Sequence, residues 1–444
     1  MTARSAVVKA LLTIQEDGGY SNIVLDDLLE KADLPVADRA LASCLLYGVT
    51  ERRLTLDYLL NQTASTPVKK MQPAVREILR VGAYQLVFMD KMPSFAAINE
   101  AVEQTRQFGC GRLSGFVNGV LRQVQRGYEK LLADLPTTDK GLEIRYSVPR
   151  QWIRAWRDAY GDEVLMGLLE SLDGAPPAYI RVNTYATTAE NLCKSLSDLN
   201  INCTLFDSLP NAMQVSPALA LHTISPALSE CFYFQDIASQ WYCLALDAQL
   251  GERIADLCAA PGGKTMTIAQ YMDNIGEIIA GDIHDHKCRA MTQRVSRYGF
   301  DCITVRLRDA SADPEAEELG AYDRVVCDVP CSGLGVIRRK PEIRYKNAEE
   351  FADLPALQLQ ILQQGAKMVR PGGVLQYSTC TLRPEENQAV AKAFLENNPD
   401  FSPRILPIQP CFDALGLPPA HEITLFPHVH GSDGFYIAGF TKNQ

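Results

Sequence analysis

Apolar residues recur at three- and four-residue intervals through the first 130 or so positions of the chain. The stretches ADRALASCLLYGVTERRLTLDYLL, QPAVREILRVGAYQLVFM and LSGFVNGVLRQVQRGY each carry that spacing, which predicts amphipathic helices packed as an all-α bundle. Pro73 suits a first helical turn, and Ser94 and Ser114 are expected to serve as N-caps. After LPTTDKG the pattern changes to alternation. PAYIRVN reads as a strand, TAENLCKSLSDLN as a helix, and CTLFDSL and AMQVS as short strands, which together predict a small α+β module.

From Ile237 onward, apolar strand-length runs alternate with helical stretches. RIADLCAAPGGKT is a strand entering a Gly-rich turn, and GEIIAGDIH, CITVRLRDA, YDRVVCDVP and GGVLQYSTC supply four further strands. That βαβ texture predicts a doubly wound, Rossmann-like α/β sheet, with HGSDGFYIAGFTKN as a final antiparallel strand. The expected organisation is three domains, at residues 1–138, 139–235 and 236–444.

Composition narrows the class. Hydrophobic residues are 47% and charged residues 22% of the 444, which excludes disordered and fibrous chains. No apolar run approaches the roughly 18 residues of a membrane helix, and MTARSAVVKALLTIQEDG lacks the apolar core of a signal peptide, so a cytoplasmic location is expected. The thirteen cysteines show no CxxC pairs, which argues against both a zinc site and a disulfide framework; no metal is expected. A net charge of −10 taken alone disfavours nucleic acid, but residues 1–150 hold 19 basic against 17 acidic side chains. Within them Lys69, Lys70, Arg76 and Arg80 form one basic cluster and Arg106, Arg112, Arg122 and Arg126 another, either a solvated face or an RNA-binding one.

Candidate chemistry begins at DLCAAPGGKT, Asp256 to Thr265. A P-loop needs glycine where Cys258 stands, and the GxGxxG fingerprint is absent, so ATPase and dehydrogenase readings weaken. What remains is a turn in which Gly262 and Gly263 let backbone amides approach a ligand at the carboxyl edge of the sheet. Asp282, Asp309 and Asp328 follow at the ends of the next three strands, and Asp282 is placed to accept hydrogen bonds from ribose hydroxyls. Cys331 and Cys380 also follow apolar strands, 49 residues apart (380 less 331), and are candidate nucleophiles because cysteine is already partly thiolate near neutral pH. Residue chemistry alone does not rank them, whereas Cys288, Cys302 and Cys327 read as small buried hydrophobes.

Two resemblances extend this reading. The first segment, particularly FVNGVLRQV, resembles the helical RNA-binding domain of the antitermination factor NusB. DLCAAPGGKT, DVPCSGLGVIRRKPEIRY and YSTCTLRPEEN, with YFQDIASQW ahead of them, resemble the signature motifs of RNA cytosine-5 methyltransferases of the Nol1/Nop2/Sun type. That resemblance implies transfer of a methyl group from S-adenosylmethionine to a cytosine of 16S rRNA. Cofactor contacts are implied at Cys258, Ala259, Ala260, Pro261, Gly262, Gly263, Lys264, Asp282, Asp309 and Asp328. For Cys258 the preferred reading is packing with a backbone contact.

The resemblance also ranks the cysteines: Cys380 of the Thr-Cys motif is the implied nucleophile and Cys331 the implied helper in releasing the product. Asp328 is expected at ring N3 and the exocyclic amine, and Lys264 either at the base or simply solvating a helix start. Val329 departs from the family's usual alanine, a packing change only. The basic run VIRRKPEIRYK and the helix HDHKCRAMTQRVSRYG, with Lys287, Arg289, Arg294 and Arg297, are expected near flanking phosphates. No stable protein partner is inferred. Transfer RNA as substrate, or an assembly factor without activity, are the competing readings.

Overall fold

A computed structural model describes residues 2–17, 24, 34–217 and 224–444. They form two compact units, Met1–Asp173 with Ile337–Lys346, and Gly174–Val336 with Asn347–Gln444.

The first unit is helical. Its helices span Ala3–Asp17, Val36–Glu51, Arg53–Thr63, Pro73–Phe88, Ser94–Gln107, Ser114–Ala133, Asp139–Tyr146 and Arg150–Glu170. The three- and four-residue spacing buries Leu45, Leu46, Leu56, Leu60, Ile78, Leu79 and Leu121 in one core. Pro73 occupies the first turn as expected, since a missing N–H costs nothing there. Ser94 and Ser114 do not act as caps. Each is the first helical residue, behind Pro93 and Leu113, and neither helix has a side-chain cap. A 3₁₀ turn at Gly111–Leu113 runs directly into the second of these helices, with Leu113 N bonded to Cys110 O, so no separate helix start exists at Ser114 for a cap to serve.

The basic segment expected to meet phosphates behaves differently. Arg344 is fully buried, and its guanidinium donates to Ile337 O at 3.0 Å and to Tyr146 O and Glu51 O at 3.4 Å each. Its carbonyl accepts from Trp152 Nε1 at 2.8 Å, and the neighbouring Tyr345 hydroxyl lies 2.9 Å from Thr50 O and Glu51 O. A guanidinium with five fixed donors can close off several stray carbonyls at once, which is why this arginine is drawn inward. Arg76 and Arg80 are likewise committed internally, to Glu77 and to Asp57 with Glu77. Lys69, Lys70, Arg112, Arg122 and Arg126 remain exposed.

The second unit holds two sheets. The smaller is antiparallel in the order β2-β3-β1-β4, formed by β1 (Ala178–Val182), β2 (Asn202–Leu205), β3 (Ala212–Ser216) and β4 (Phe232–Phe234), with the helix Ala189–Ser197 alongside in sequence. Thr188 caps that helix by accepting from Asn191 N. Ile180, Val182, Leu192, Leu196, Met213 and Val215 pack together beneath it.

The larger sheet contains β5 (Arg253–Asp256), β6 (Glu277–Asp282), β7 (Ile303–Leu307), β8 (Tyr322–Asp328), β9 (Val369–Thr379), β10 (Phe401–Pro403), β11 (Glu422–Leu425) and β12 (Phe435–Lys442). Its order is β10-β12-β9-β8-β5-β6-β7, with β11 paired to β12. The strands from β5 to β9 are parallel, and β12 runs antiparallel to β9, as the tail's pattern predicts. The chain builds outward from β5 through β6 to β7, then returns to β8 on the other side of β5. The crevice at the carboxyl ends of β5 and β8 is therefore the switch point at which such sheets bind ligands. The all-α, small α+β and α/β layers match the expected fold classes; the three-residue β4 and β10 are too short for sequence periodicity to register, and β11 is an addition to the expected strands.

Because Arg344 satisfies three carbonyls from inside the core, Arg344→Met should destabilise the helical unit by about 2 kcal/mol. Hydrogen exchange of the helix Arg150–Glu170 reports it, and protection unchanged from the parent would contradict the anchoring role.

Candidate active site

β5 ends in a turn that only glycine suits. Gly262 has a φ of +92°, and an added Cβ would sit 3.0 Å from Met291 Cγ. The helix Gly263–Tyr271 starts immediately after it, and its first residues, Gly263 and Lys264, whose N–H groups have no partner within the helix, line the switch-point crevice. A cavity of about 230 Å³ opens there, lined by Phe234, Gln235, Asp236, Ser239, Asp256, Cys258, Ala259, Ala260, Pro261, Gly263, Lys264 and Asp328. The expected Cys258–Lys264 loop and Asp328 are thus brought together.

Asp328 closes β8, where the register places it opposite Ser378 of β9. Ser378 Oγ donates to Asp328 Oδ1 at 2.8 Å, and Lys264 Nζ donates to Oδ2 at 2.7 Å. Burial works against the Lys264 charge, but the Asp328 carboxylate outweighs it, with a contribution from the Cys380 sulfur, and holds the ammonium above its usual range. Asp256 is fully buried and accepts from Thr265 Oγ1 at 2.7 Å. Burial, reinforced by the Asp328 charge, pushes its carboxyl up to about 7.

The two cysteines of the sequence analysis meet. Cys331 Sγ lies 3.2 Å from Cys380 Sγ. The shared hydrogen bond with Cys380 and burial hold the Cys331 thiol well above the usual range. Either sulfur can donate in this contact. Gly335 permits this approach: its N–H donates to Cys380 O at 3.0 Å, and a Cβ there would fall 1.9 Å from Gly434 O. Cys327 is fully buried and Cys288 and Cys302 are buried, in keeping with packing roles.

Two expected cofactor residues stand apart from the cavity. Asp282 ends β6, almost buried, with its carboxylate accepting from His284 N at 2.9 Å. Asp309 lies two residues beyond the end of β7 at Leu307, exposed, where it ties a turn by accepting from Ser311 N and Oγ, beside a different cavity lined by Arg306, Arg308 and Asp313. A larger cavity, about 640 Å³, lies within the helical unit and contains none of these residues; Arg80, Asp57, Arg76 and Glu77 on its walls are already paired.

Sequence reasoning gave no role to Ser378 or Gln235. Ser378 follows from strand pairing, which a single sequence does not display. Gln235 lines the cavity, its Oε1 accepts from Thr267, and its buried Nε2 has no hydrogen-bond partner among the described residues, a spare donor beside Gly263. Among the described residues no group of His, Cys, Asp and Glu is arranged to hold a metal, and no helix is long and apolar enough to cross a membrane.

Residues 243–441 match the family described as 16S rRNA methyltransferase RsmB/F, residues 1–126 the NusB family, and residues 148–222 the ferredoxin-like domain of RsmF/B-like methyltransferases. The chain is 33% identical to the probable ribosomal RNA small subunit methyltransferase B of Bacillus subtilis over 99% of each, and 32% identical to that of Synechocystis over 100% of each. The chain belongs to the ribosomal RNA small subunit methyltransferase B family.

Membership makes it an rRNA methyltransferase of the RsmB/F type, with a NusB domain at its front. The crystal structure of PH0851 shares the fold of this methyltransferase at a TM-score of 0.81 and 23% identity, covering 99% of this chain and 98% of that one. NSun6 from Pyrococcus horikoshii, solved with SFG, does so at 0.58 and 22%, covering 67% and 98%.

In this methyltransferase the raised Asp256 carboxyl makes stability depend on pH. The folded protein holds the proton to about 7 while the unfolded chain releases it near 3.8, so the contribution is complete below pH 3.8 and lost as pH rises to 7. Asp256→Asn should remove that loss, leaving the variant roughly 4 kcal/mol more stable than the parent at pH 8. Urea unfolding at pH 4 and 8 measures it; a difference that does not change with pH would rule out Asp256 as the source.

Proposed function

We propose that the enzyme transfers a methyl group from S-adenosylmethionine to carbon 5 of a cytosine in 16S rRNA, through a transient bond between Cys380 and carbon 6. The observation that carries this is the pairing of the Cys331 and Cys380 sulfurs at 3.2 Å beside the Lys264–Asp328 ion pair. A half-buried thiol pair of that kind has no use in phosphoryl or hydride transfer. It suits a pyrimidine ring that must be attacked and then released.

The site suits S-adenosylmethionine. Gln235 Nε2 and the first amides of the helix Gly263–Tyr271 supply unspent donors for a carboxylate, and Asp282, at the end of the neighbouring β6 though outside that cavity, is the proposed acceptor for ribose hydroxyls. The same ligand class is supported by SFG, an S-adenosylmethionine analogue, in the structurally similar NSun6. When bound, S-adenosylmethionine supplies an electrophilic methyl group.

The protein's own residues prepare the acceptor. The Cys380 thiolate forms a bond to carbon 6, and the π electrons of the ring make carbon 5 enamine-like. Lys264 and Asp328 form the polar wall for ring N3 and the exocyclic amine, and the Lys264 charge favours thiolate at Cys380. After carbon 5 is alkylated, loss of its proton to a base returns the electron pair and breaks the bond to Sγ. Cys331, still protonated, donates toward the departing sulfur. The exposed Lys69, Lys70, Arg112, Arg122 and Arg126 are the proposed RNA grip of the helical unit. A cytoplasmic location follows from an rRNA substrate, and domain limits near 138 and 235 remain the proposed division.

Incubation with labelled S-adenosylmethionine and unmodified 16S transcript should place label in 5-methylcytidine. Cys380→Ala should abolish product and adduct, at least a thousandfold in rate, whereas Cys331→Ala should accumulate a covalent RNA adduct on a denaturing gel. Label in N6-methyladenosine, or full activity of Cys380→Ala, would overturn the assignment.

A further inference from the structure

The two thiols sit on separate turns, one after β8 and one after β9, and something must hold both sulfurs in register with one base. The motif that ends in Arg383-Pro384-Glu385-Glu386-Asn387 supplies it. Glu385 is exposed, but Glu386 and Asn387 are both completely buried. Glu386 Oε2 accepts from Ser332 N and from Gln358 Nε2, each at 2.9 Å. Gln358 Nε2 also donates to Pro330 O at 2.9 Å. The residues on both sides of Cys331 are thereby tied to Glu386. Asn387 does the same for the other thiol. Its Oδ1 accepts from Thr379 Oγ1 at 2.5 Å and its Nδ2 donates to Thr381 O at 3.0 Å, the residues on both sides of Cys380.

We infer that Glu386 and Asn387 are positioning residues, each assigned to one thiol: Glu386 to Cys331 and Asn387 to Cys380. Because they are consecutive in the chain, the peptide between them sets the spacing of the two turns. A hydroxyl contact between Ser332 and Thr381 at 2.7 Å is a direct tie between the same turns. Arg383 balances the buried Glu386 charge at 3.1 Å, and the Tyr377 hydroxyl donates to Glu386 O, so the dipeptide is itself fixed by its surroundings. Catalytic groups must be held to within about half an ångström of productive geometry, and buried hydrogen bonds behind them are the usual means. Neither residue reaches the reacting atoms.

The inference rests on the proposed thiol chemistry only for the meaning of each defect, not for the pairing. Two variants separate the pair. Glu386→Gln keeps size but turns an amide donor against either Arg383 or the Ser332 and Gln358 donors. Asn387→Asp keeps an acceptor for Thr379 and loses the donor to Thr381 O. With full-length enzyme and 16S transcript, Glu386→Gln should reproduce the defect of Cys331→Ala, and Asn387→Asp that of Cys380→Ala, whichever defects those prove to be. Each should lower kcat at least tenfold with KM for RNA within twofold of the parent.

Alkylation of the folded enzyme by iodoacetamide, read by peptide mass, tests the same pairing without activity. Glu386→Gln should change the rate at Cys331 at least fivefold and at Cys380 less than twofold, and Asn387→Asp the reverse. Equal change at both thiols, change at neither, or crossed phenotypes would overturn the assignment. Should the cysteine variants themselves show exchanged roles, the thiol mechanism falls while matched phenotypes would still uphold the pairing.

Discussion

The parallel pairing of β8 with β9 sets Asp328 opposite Ser378, and the geometry of the site descends from that register. In a sheet, side chains alternate between faces, so the residues that end two neighbouring strands share a face only when the pairing is right. Here Cys327 pairs with Tyr377, both fully buried, and one step further Ser378 can donate to Asp328 at 2.8 Å. Val329 N extends the ladder to Ser378 O, and beyond it the two chains diverge into the Cys331 and Cys380 turns. A slip by one residue would set Tyr377 against Asp328 and rotate Ser378 away. The large apolar residues of the strands thus fix the position of small polar ones that contribute little to the core.

Around that register the protein concentrates groups that a stability-driven core would avoid. Asp256 and Glu386 are buried, and the Lys264–Asp328 pair is only partly exposed. Replacing such groups by well-packed hydrophobes is often neutral or stabilising, while removing one partner alone is costly. Their presence is better understood through chemistry: a thiolate needs nearby positive charge, a positive charge in a crevice needs a carboxylate, and both need backbone held by buried polar side chains. Asp256 shows the cost most directly, since burial and the neighbouring Asp328 keep it from ionising in the ordinary carboxylate range.

The main strands were legible because parallel strands covered on both faces carry short apolar runs, as at residues 325–327 and 278–280. The Gly-rich turn was legible because Gly262 occupies a backbone conformation that other residues rarely adopt. The rest was hidden for definite reasons. Arg344 and Arg339 look alike in the sequence, and only the surroundings show that Arg344 is enclosed by carbonyls. Glu385 and Glu386 are adjacent and identical, yet one faces water and the other is sealed, because which face of a turn is inward depends on what packs against it. Asp309 shows the same limit: its place near a strand end could be read from the sequence, but the tie it makes within its own turn to Ser311 could not.

The charge balance of this acidic chain follows from where its arginines went. Arg76 and Arg80 pair with acids inside the helical unit, and Arg308 and Arg324 pair with Glu318 and Glu252 in the other. These pairs cancel in any count of net charge, so the −10 falls on the groups that remain outside them, and what RNA would meet depends on how those are distributed. Phosphate attraction scales with the cations that remain exposed and clustered, and each phosphate neutralised adds to both affinity and salt sensitivity. Against a negative overall balance, an rRNA methyltransferase of this kind depends on where its exposed cations cluster and on fit at the target. On the proposed mechanism, a base held for the duration of one covalent bond needs geometric accuracy at two sulfurs rather than a large basic surface, and the buried polar residues behind those sulfurs are placed to supply it.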